Sequence, residues 1–213
     1  MHANDTTSLF GHAPTDENYI VVDGLKIKSD NPYSDFLGCS VRVYYRYNED
    51  DNENELLWIE RRENTQVITI SSEDIETPIV DGYLEFDDDG NEKRIRLASI
   101  ISLSVIYNGK LKTFAQYSDL APKNGTVTLI DATGDGVYET AHVWNYLDYW
   151  VEKVYTQGDV VYVTDKRSDM PILEINMRDF ELIEITSQEN SLPKESSTIN
   201  FSPIRILKER VRC

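Results

Sequence analysis

The sequence has few of the residues that build zinc sites and disulfide frameworks. Its 213 residues include two cysteines, Cys39 and Cys213, and three histidines. No Cys-x-x-Cys or His-x-x-x-His pair occurs, so we expect neither a zinc site nor a disulfide framework. A reducing compartment suits this cysteine usage best. His142, remote from the other histidines, is expected to lie on the surface of a strand.

Catalytic and targeting motifs are also missing. The chain contains no Gly-x-Ser-x-Gly elbow, no Walker loop and no dinucleotide fingerprint. No stretch approaches eighteen consecutive apolar residues, and the first residues show neither the basic nor the apolar region of a signal peptide. We therefore expect a protein that is not an enzyme, that has no membrane partner and that is synthesised in the cytoplasm.

Basic residues are too few to balance the acidic ones. Thirty-eight aspartates and glutamates face 21 lysines and arginines, which gives a net charge of -17. Such a surface repels phosphate backbones and anionic lipids, so free nucleic acid is not an expected partner. The surplus of acidic residues fits solubility, cations or basic protein surfaces.

No helical periodicity extends beyond one or two turns, whereas about a dozen short stretches alternate apolar and polar residues. This pattern predicts an all-β fold of small SH3-like β-barrels or sandwich modules, with antiparallel hairpins and extended terminal arms. Asp23-Gly24 and Asn108-Gly109 are typical hairpin turns. The strand predicted in 38–47 places two sets of side chains on opposite faces: Val41, Val43 and Tyr45 on one, and Arg42, Tyr44 and Arg46 on the other.

The changes in composition divide the chain into four segments. Residues 1–17 are polar and predict a flexible N-terminal arm. Residues 18–78 and 79–186 each hold several predicted strands, so we interpret them as a first and a second β module. Residues 187–213 begin as a linker rich in serine, asparagine and glutamate, and they end in an apolar, basic strand. That strand is either a docking strand for a neighbour or a strand that folds back onto its own sheet.

The most specific arrangement of side chains lies in the acidic turn of the second module, within 126–146. Oxygen-bearing side chains stand at relative positions 1, 3, 5 and 9 around Gly136: Asp131, Thr133, Asp135 and Glu139. A glycine turn that gathers hard oxygens is typical of a calcium loop, although threonine replaces an acid and position 12 is a histidine. The alternative is a turn that Asp131 and Asp135 cap through hydrogen bonds. Calcium is the only cofactor that the sequence suggests.

Two apolar segments are candidate interfaces. An aromatic run follows the acidic turn, and it could stack on a sugar, contact another protein or pack between sheets: Trp144, Tyr146, Tyr149, Trp150 and Tyr155. The C-terminal strand supplies the second segment: Ile204, Ile206 and Leu207.

Several short motifs follow one another over residues 30 to 165: Asn31–Gly38 with Val41–Tyr45, Ile106–Lys110, Gly125–Asp131, Gly134–Gly136, Tyr138-Glu139, Val143 and Val151. Together they resemble a module of virion structural proteins from large tailed bacteriophages. Similar modules occur in some bacterial surface proteins. Two departures are Thr133 and Glu139, where the pattern tends to carry aspartate.

The resemblance implies a structural component of a phage particle, in the tail, neck or baseplate, that assembles with other virion proteins. It implies a symmetric assembly and a location in the virion, and it brings no catalytic residues. Two other hypotheses remain open at this point. One is a module that binds carbohydrate or cell wall through the aromatic run, and the other is a surface domain stabilised by calcium.

Overall fold

A computed structural model describes residues 1–146, 150–158, 160–170 and 172–173, and the backbone of 174–176, 184–185 and 204–205. The described fold is all-β, as predicted. Its helical residues form two short 3₁₀ turns, Ser34–Phe36 and Tyr117–Leu120. None of the sheets in these residues closes into a barrel, so the sheets are of the sandwich type.

The chain divides into two compact units, which span Met1–Asn145 and Tyr146–Cys213. Short strands joined by tight turns build the N-terminal unit. These strands are β1 (Tyr19–Val22), β2 (Leu25–Lys28), β3 (Val41–Asn48), β4 (Glu53–Arg61), β5 (Gln66–Ser71), β6 (Ile75–Val80), β7 (Tyr83–Asp88), β8 (Asn91–Leu97), β9 (Ser104–Tyr107), β10 (Lys110–Leu111), β11 (Gly125–Asp131), β12 (Val137–Tyr138) and β13 (Thr140–Asn145).

Three sheets arise from these strands. Sheet I has the order β1-β2-β4-β3, sheet II the order β10-β9-β13-β11-β5, and sheet III the order β12-β8-β7-β6. The two predicted hairpin turns are present, because β1 pairs with β2 around Asp23-Gly24 and β9 pairs with β10 around Asn108-Gly109. All four turn residues have positive φ, as type I′ turns require.

Sheet II is the middle layer of the N-terminal unit, because each of its faces contributes to a different apolar core. Successive side chains of a strand point to opposite faces, so β11 supplies both cores. The core shared with sheet III contains Val127 and Leu129 of β11 with Leu84 and Phe86. The core shared with sheet I contains Ile130 of β11 with Ile27 and Ile59. The unit is therefore a three-layer sandwich.

Residues 1–17 do not form the predicted flexible arm. Met1, Ala3 and Leu9 are buried, and Met1 and Leu9 belong to the core between sheets I and II. The segment is held by backbone bonds, which include one from the amide of Val21 to the carbonyl of Ala3 at 2.9 Å. The prediction was wrong because the polar residues are local turn formers: the Asn4 side chain accepts hydrogen bonds from the amides of Thr6 and Thr7.

The boundary predicted near residue 78 is not a boundary between units. Strand β5, in the predicted first module, pairs along its length with β11, in the predicted second module. The division falls instead after Asn145, inside the predicted second module. Sequence-local hairpins could not reveal this, because the β5–β11 ladder joins residues about sixty positions apart.

The C-terminal unit contains β14 (Val151–Gln157), β15 (Val160–Asp165) and β16 (Leu173–Asn176) in one antiparallel sheet. A second pair, β17 (Glu184–Ile185) and β18 (Ile204–Arg205), is antiparallel. The buried Asp165 carboxylate closes the end of β15: it accepts bonds from the amide of Trp150 at 2.6 Å and from the Arg167 guanidinium at 2.8 Å. The Arg167 guanidinium and these bonds lower the pKa of Asp165.

Adjacent residues of the N-terminal segment should differ sharply in their effect on stability. Leu9 is fully buried and Phe10 is 54% exposed. We expect Leu9→Ala to lower the free energy of unfolding by about 2–5 kcal/mol, because it leaves a cavity in a packed core. Phe10→Ala should cost less than about 1 kcal/mol. Urea unfolding monitored by tryptophan fluorescence measures both, and equal losses would contradict the packed N-terminal segment.

Candidate functional site

The acidic turn links sheets II and III, which share a core. Strand β11 of sheet II ends at Asp131, the chain then crosses to sheet III as β12, and it returns to sheet II as β13. The predicted strand–turn–strand arrangement is confirmed, since β11 and β13 pair antiparallel, with Leu129 opposite Ala141. The detour through β12, which pairs in parallel with β8 through Tyr138 and Leu97, was not predicted.

The carboxylate of Asp131 organises this turn. Its Oδ1 accepts hydrogen bonds from the amides of Thr133 at 3.0 Å and Gly134 at 2.6 Å, and from the Thr133 hydroxyl at 3.2 Å. Its Oδ2 accepts a bond from the amide of Gly136 at 2.8 Å. A carboxylate offers about four lone-pair positions, and four donors meet this one. The Asp131 side chain is fully buried, whereas the turn residues that donate to it are exposed.

The ionisation of Asp131 and Glu139 follows from these surroundings. Burial alone would raise the pKa of Asp131, but the amides of Gly136, Gly134 and Thr133 outweigh burial and lower it below its usual value. Glu139 is the opposite case: burial raises its pKa, although its Oε1 accepts a bond from the amide of Ala132 at 2.9 Å. The more ionised carboxylate of the two is therefore Asp131.

The four residues of the predicted calcium loop lie in one turn, and each has a role in holding that turn. Asp135 Oδ1 accepts a bond from the amide of Val137 at 2.9 Å, and Glu139 fixes Ala132 as described. These bonds match the capping alternative that the sequence left open. Calcium binding by Asp131, Thr133, Asp135 and Glu139 stays a prediction, because no observation here tests it.

A loop from sheet I also contacts the acidic turn. Asn64 lies between β4 and β5, and its Nδ2 donates to the carbonyl of Thr133 at 3.1 Å. A Cβ on Gly134 would stand only 2.6 Å from the carbonyl oxygen of Asn64, so only glycine allows this approach. The connection from sheet I to sheet II and the connection from sheet II to sheet III therefore meet at this turn.

A second acidic group was missed by the sequence reasoning. Carboxylate oxygens of Glu76, Glu85 and Glu92, from three neighbouring strands of sheet III, lie within 4.8 Å of one another. Glu85 also pairs with Arg94 at 3.1 Å. Glu76 and Glu85 are direct cross-strand partners, a like-charge pairing that the alternation pattern could have shown had the register been known. Exposed acidic groups are common on an acidic protein, so this geometry alone assigns no cofactor.

The predicted aromatic run spans the boundary between the two units. Trp144 is half-buried in β13 of the N-terminal unit, whereas Tyr146 and Trp150 belong to the C-terminal unit, where Trp150 is 60% exposed. Tyr149 lies outside the described residues. An interface role for this run stays a prediction.

The predicted C-terminal docking strand is described only in part. Ile204 lies in β18, where it pairs with Ile185, so the chain near this residue has a partner strand in its own unit. Ile206 and Leu207 lie outside the described residues. Docking of this segment onto a neighbour stays a prediction.

An exposed apolar surface that the sequence reasoning did not select lies on the β3–β4 hairpin. Tyr44 is opposite Trp58, and a bulge leaves Leu57 without a partner in β3. These three side chains are 48%, 60% and 59% exposed, and we call them the hairpin surface. The consecutive apolar residues Leu57 and Trp58 break the strand alternation, which is the sequence signal that could have indicated a bulge.

Two ion pairs border the hairpin surface on the same face of the sheet. Arg42 contacts Glu60 at 2.9 Å and Arg46 contacts Glu55 at 2.7 Å, and both pairs join directly opposite residues of β3 and β4. They give each of the two arginines that the sequence placed on this face an acidic partner. Because these pairs are exposed, each contributes little to stability, and their main effect is to frame the apolar centre.

His142 does not lie on a strand surface as expected. It is buried, and its Nε2 donates to the carbonyl of Leu37 at 2.8 Å, which ties β13 to the loop before β3. Burial lowers the pKa of His142 below its usual value of 6.5, and the bond to Leu37 opposes this only partly. The sequence could not reveal this, because residue 37 is 105 positions away.

Acid should destabilise the protein through His142. Its pKa is lower in the folded chain than in the unfolded chain, so below about pH 6.5 the unfolded chain binds a proton that the folded chain does not. We expect the free energy of unfolding to fall as the pH drops, by up to ~1.4 kcal/mol per pH unit from this residue. His142→Gln keeps a donor and should flatten the profile. Urea unfolding at several pH values measures both proteins. The same dependence of the free energy of unfolding on pH in the wild type and in His142→Gln would contradict this role.

Replacing Asp131 should destabilise the turn without any metal. Asp131→Asn substitutes a donor for one acceptor oxygen and leaves a buried amide without a partner, so we expect a loss of about 1–3 kcal/mol in the free energy of unfolding, measured with chelator present. Asp135→Asn, at an exposed position with a single bond, is the matched control and should cost less. A loss for Asp131→Asn that occurs only when calcium is present would instead identify a metal ligand.

Comparison with known proteins found no match for this chain among family models, curated proteins or solved structures. The helical turns of the described residues, of three and four residues, are too short to span a membrane.

Proposed function

We propose that the protein is a non-enzymatic structural component of a phage particle, in the tail, neck or baseplate, that joins other virion proteins through direct contacts. The hairpin surface of Tyr44, Leu57 and Trp58 is the contact site. The assignment to a phage particle rests on the resemblance of residues 30 to 165 to virion structural modules. The contact site follows from the exposure of those three side chains.

The observation that carries the proposal is the grouping of large apolar side chains around the bulge of the β3–β4 hairpin in sheet I. Leu57 and Trp58 are 59% and 60% exposed. Single exposed apolar residues are ordinary, but a contiguous exposed apolar patch with a polar border is typical of an interaction site. Tryptophan, tyrosine and arginine are also the residues that contribute most to protein interfaces.

The flanking ion pairs suit a protein partner. Arg42–Glu60 and Arg46–Glu55 form a polar border around an apolar centre, which is the usual anatomy of a protein interface. The net charge of -17 disfavours nucleic acid and anionic lipid as the surface that covers this centre. The carbohydrate-binding alternative, which depends on Trp144 and Trp150, stays an untested prediction.

Incorporation into particles tests the proposal. Mass spectrometry of purified particles should detect the polypeptide, and complementation with Trp58→Ser should lower its amount about tenfold or more, because a central tryptophan contributes on the order of 2 kcal/mol to an interface. Phe114→Ser is the matched control, since Phe114 is 89% exposed and lies outside the hairpin. It should be incorporated normally.

Far-UV circular dichroism of both variants checks that they fold. Particles that lack the polypeptide would overturn the proposal as a whole. Equal incorporation of wild type and Trp58→Ser would remove the hairpin surface as the contact site.

A further inference from the structure

Strand β3 is an edge strand without the usual protection against pairing. It has eight residues, contains no proline, glycine or lysine, and has β4 on one side only within the described residues. The bulge of the hairpin is in β4 and leaves β3 regular. Natural edge strands are normally blocked by such residues, by bulges or by covering segments. An unblocked edge of this length is suited to accept another strand.

Most other edges of the N-terminal unit are protected or short. Strand β6 contains Pro78 and an irregular register, and β1 is bridged to the N-terminal segment through Ala3 and Val21. Strands β10 and β12 have two residues each. Strand β5 is also unblocked, but it is shorter than β3 and its exposed side chains are Gln66 and Thr69. Among these edges, β3 is the longest unblocked one and the one with exposed aromatic side chains.

The exposed side chains of β3 lie on both faces of the strand. Tyr44 is on the outer face with the ion pairs, whereas Tyr45 and Tyr47 are on the inner face, where Val43 packs against the core. Tyr45 and Tyr47 are 45% and 56% exposed. A strand placed beside β3 would cover tyrosines on both faces, which a partner docked on one face alone would not do.

We propose that β3 pairs antiparallel with β3 of a second copy of this chain, around a two-fold axis through Tyr45, so that sheet I continues across the dimer. This rests on the proposed function, for which it names the partner. A two-fold contact requires a surface that complements itself. Strand β3 meets that condition in one register.

Charge selects the register. Directly opposite residues of an antiparallel pair lie on the same face of the sheet. In a two-fold pair, one residue therefore stands opposite its own copy, and the axis passes between the two. We name each axis by that residue. An axis at Tyr44 would place Arg42 opposite Arg46 of the second copy, and an axis at Arg46 would place the two Arg46 side chains together. An axis at Val43 would leave only residues 41–45 of the strand paired.

The axis at Tyr45 avoids these problems. It pairs residues 42–48 of the two copies and brings the two Tyr45 rings together. Arg46 of each copy then stands opposite Tyr44 of the other copy. A guanidinium against a tyrosine ring and an aromatic cross-strand pair are both favourable contacts. No like charges face each other among the paired residues of β3.

Two substitutions at one position test the pairing. Tyr44→Lys and Tyr44→Glu both remove the ring from an exposed site, but the first places lysine opposite Arg46 of the second copy and the second places glutamate there. We expect the wild-type full chain to dimerise in sedimentation equilibrium at micromolar concentration. Moderate salt should be present, because two chains of charge -17 repel each other.

Tyr44→Lys should weaken the dimer on the order of tenfold or more, because two like-charge pairs form. Tyr44→Glu should dimerise at least as tightly as the wild type. Circular dichroism and urea unfolding of each variant establish that the chain is folded.

The proposal is overturned if the wild-type chain stays monomeric up to about 100 μM, because a specific dimer should bind more tightly than that. Another protein, or another segment of this chain, would then occupy the edge. If both substitutions weaken the dimer equally, Tyr44 makes an apolar contact without strand pairing. If both variants dimerise as tightly as the wild type, the dimer contact lies elsewhere. Either result overturns the pairing. Detection of the polypeptide in particles is independent of all three results, so the proposed function fails or stands separately.

Discussion

The N-terminal unit depends on one buried carboxylate, that of Asp131. Four donors from the turn that follows it converge on its two oxygens, and the Asp131 side chain itself is fully buried. Removal of a carboxylate from water is costly unless hydrogen bonds replace its hydration, and the backbone amides of Thr133, Gly134 and Gly136 supply that replacement. The carboxylate fixes the turn from Asp131 to Gly136, which the backbone alone would not hold in one conformation.

The fixed turn has consequences for all three sheets of the unit. It aims the chain from sheet II into β12 of sheet III and back, while Asn64 brings the connection from sheet I against it. Strand β11, which leads into the turn, contributes Val127 and Leu129 to one core and Ile130 to the other. The sandwich therefore has its polar anchor at the end of its most buried strand. The exposed side chains of the hairpin surface lie outside both cores.

The sequence was sufficient for local features and failed for distant ones. Alternation predicted β3 with its two faces, and the Asp-Gly and Asn-Gly dipeptides predicted two turns, because these depend on neighbours in the chain. The packing of residues 1–17, the β5–β11 ladder and the burial of His142 depend on contacts between remote residues, and no periodicity encodes them. For the candidate site, alternation placed Tyr44 on the outer face. The exposure of Leu57 and Trp58 required the bulge, which only the paired register reveals.

Amide hydrogen exchange in calcium-free buffer tests the central role of Asp131 most directly. If the carboxylate holds the turn, the amides of Thr133, Gly134 and Gly136 donate to a buried acceptor and exchange only when the unit unfolds. We predict that their protection equals that of the β11 amides of Val127 and Leu129 with chelator present. Exchange of the turn amides at the rate of an unstructured peptide, with protection restored only by added calcium, would contradict this account.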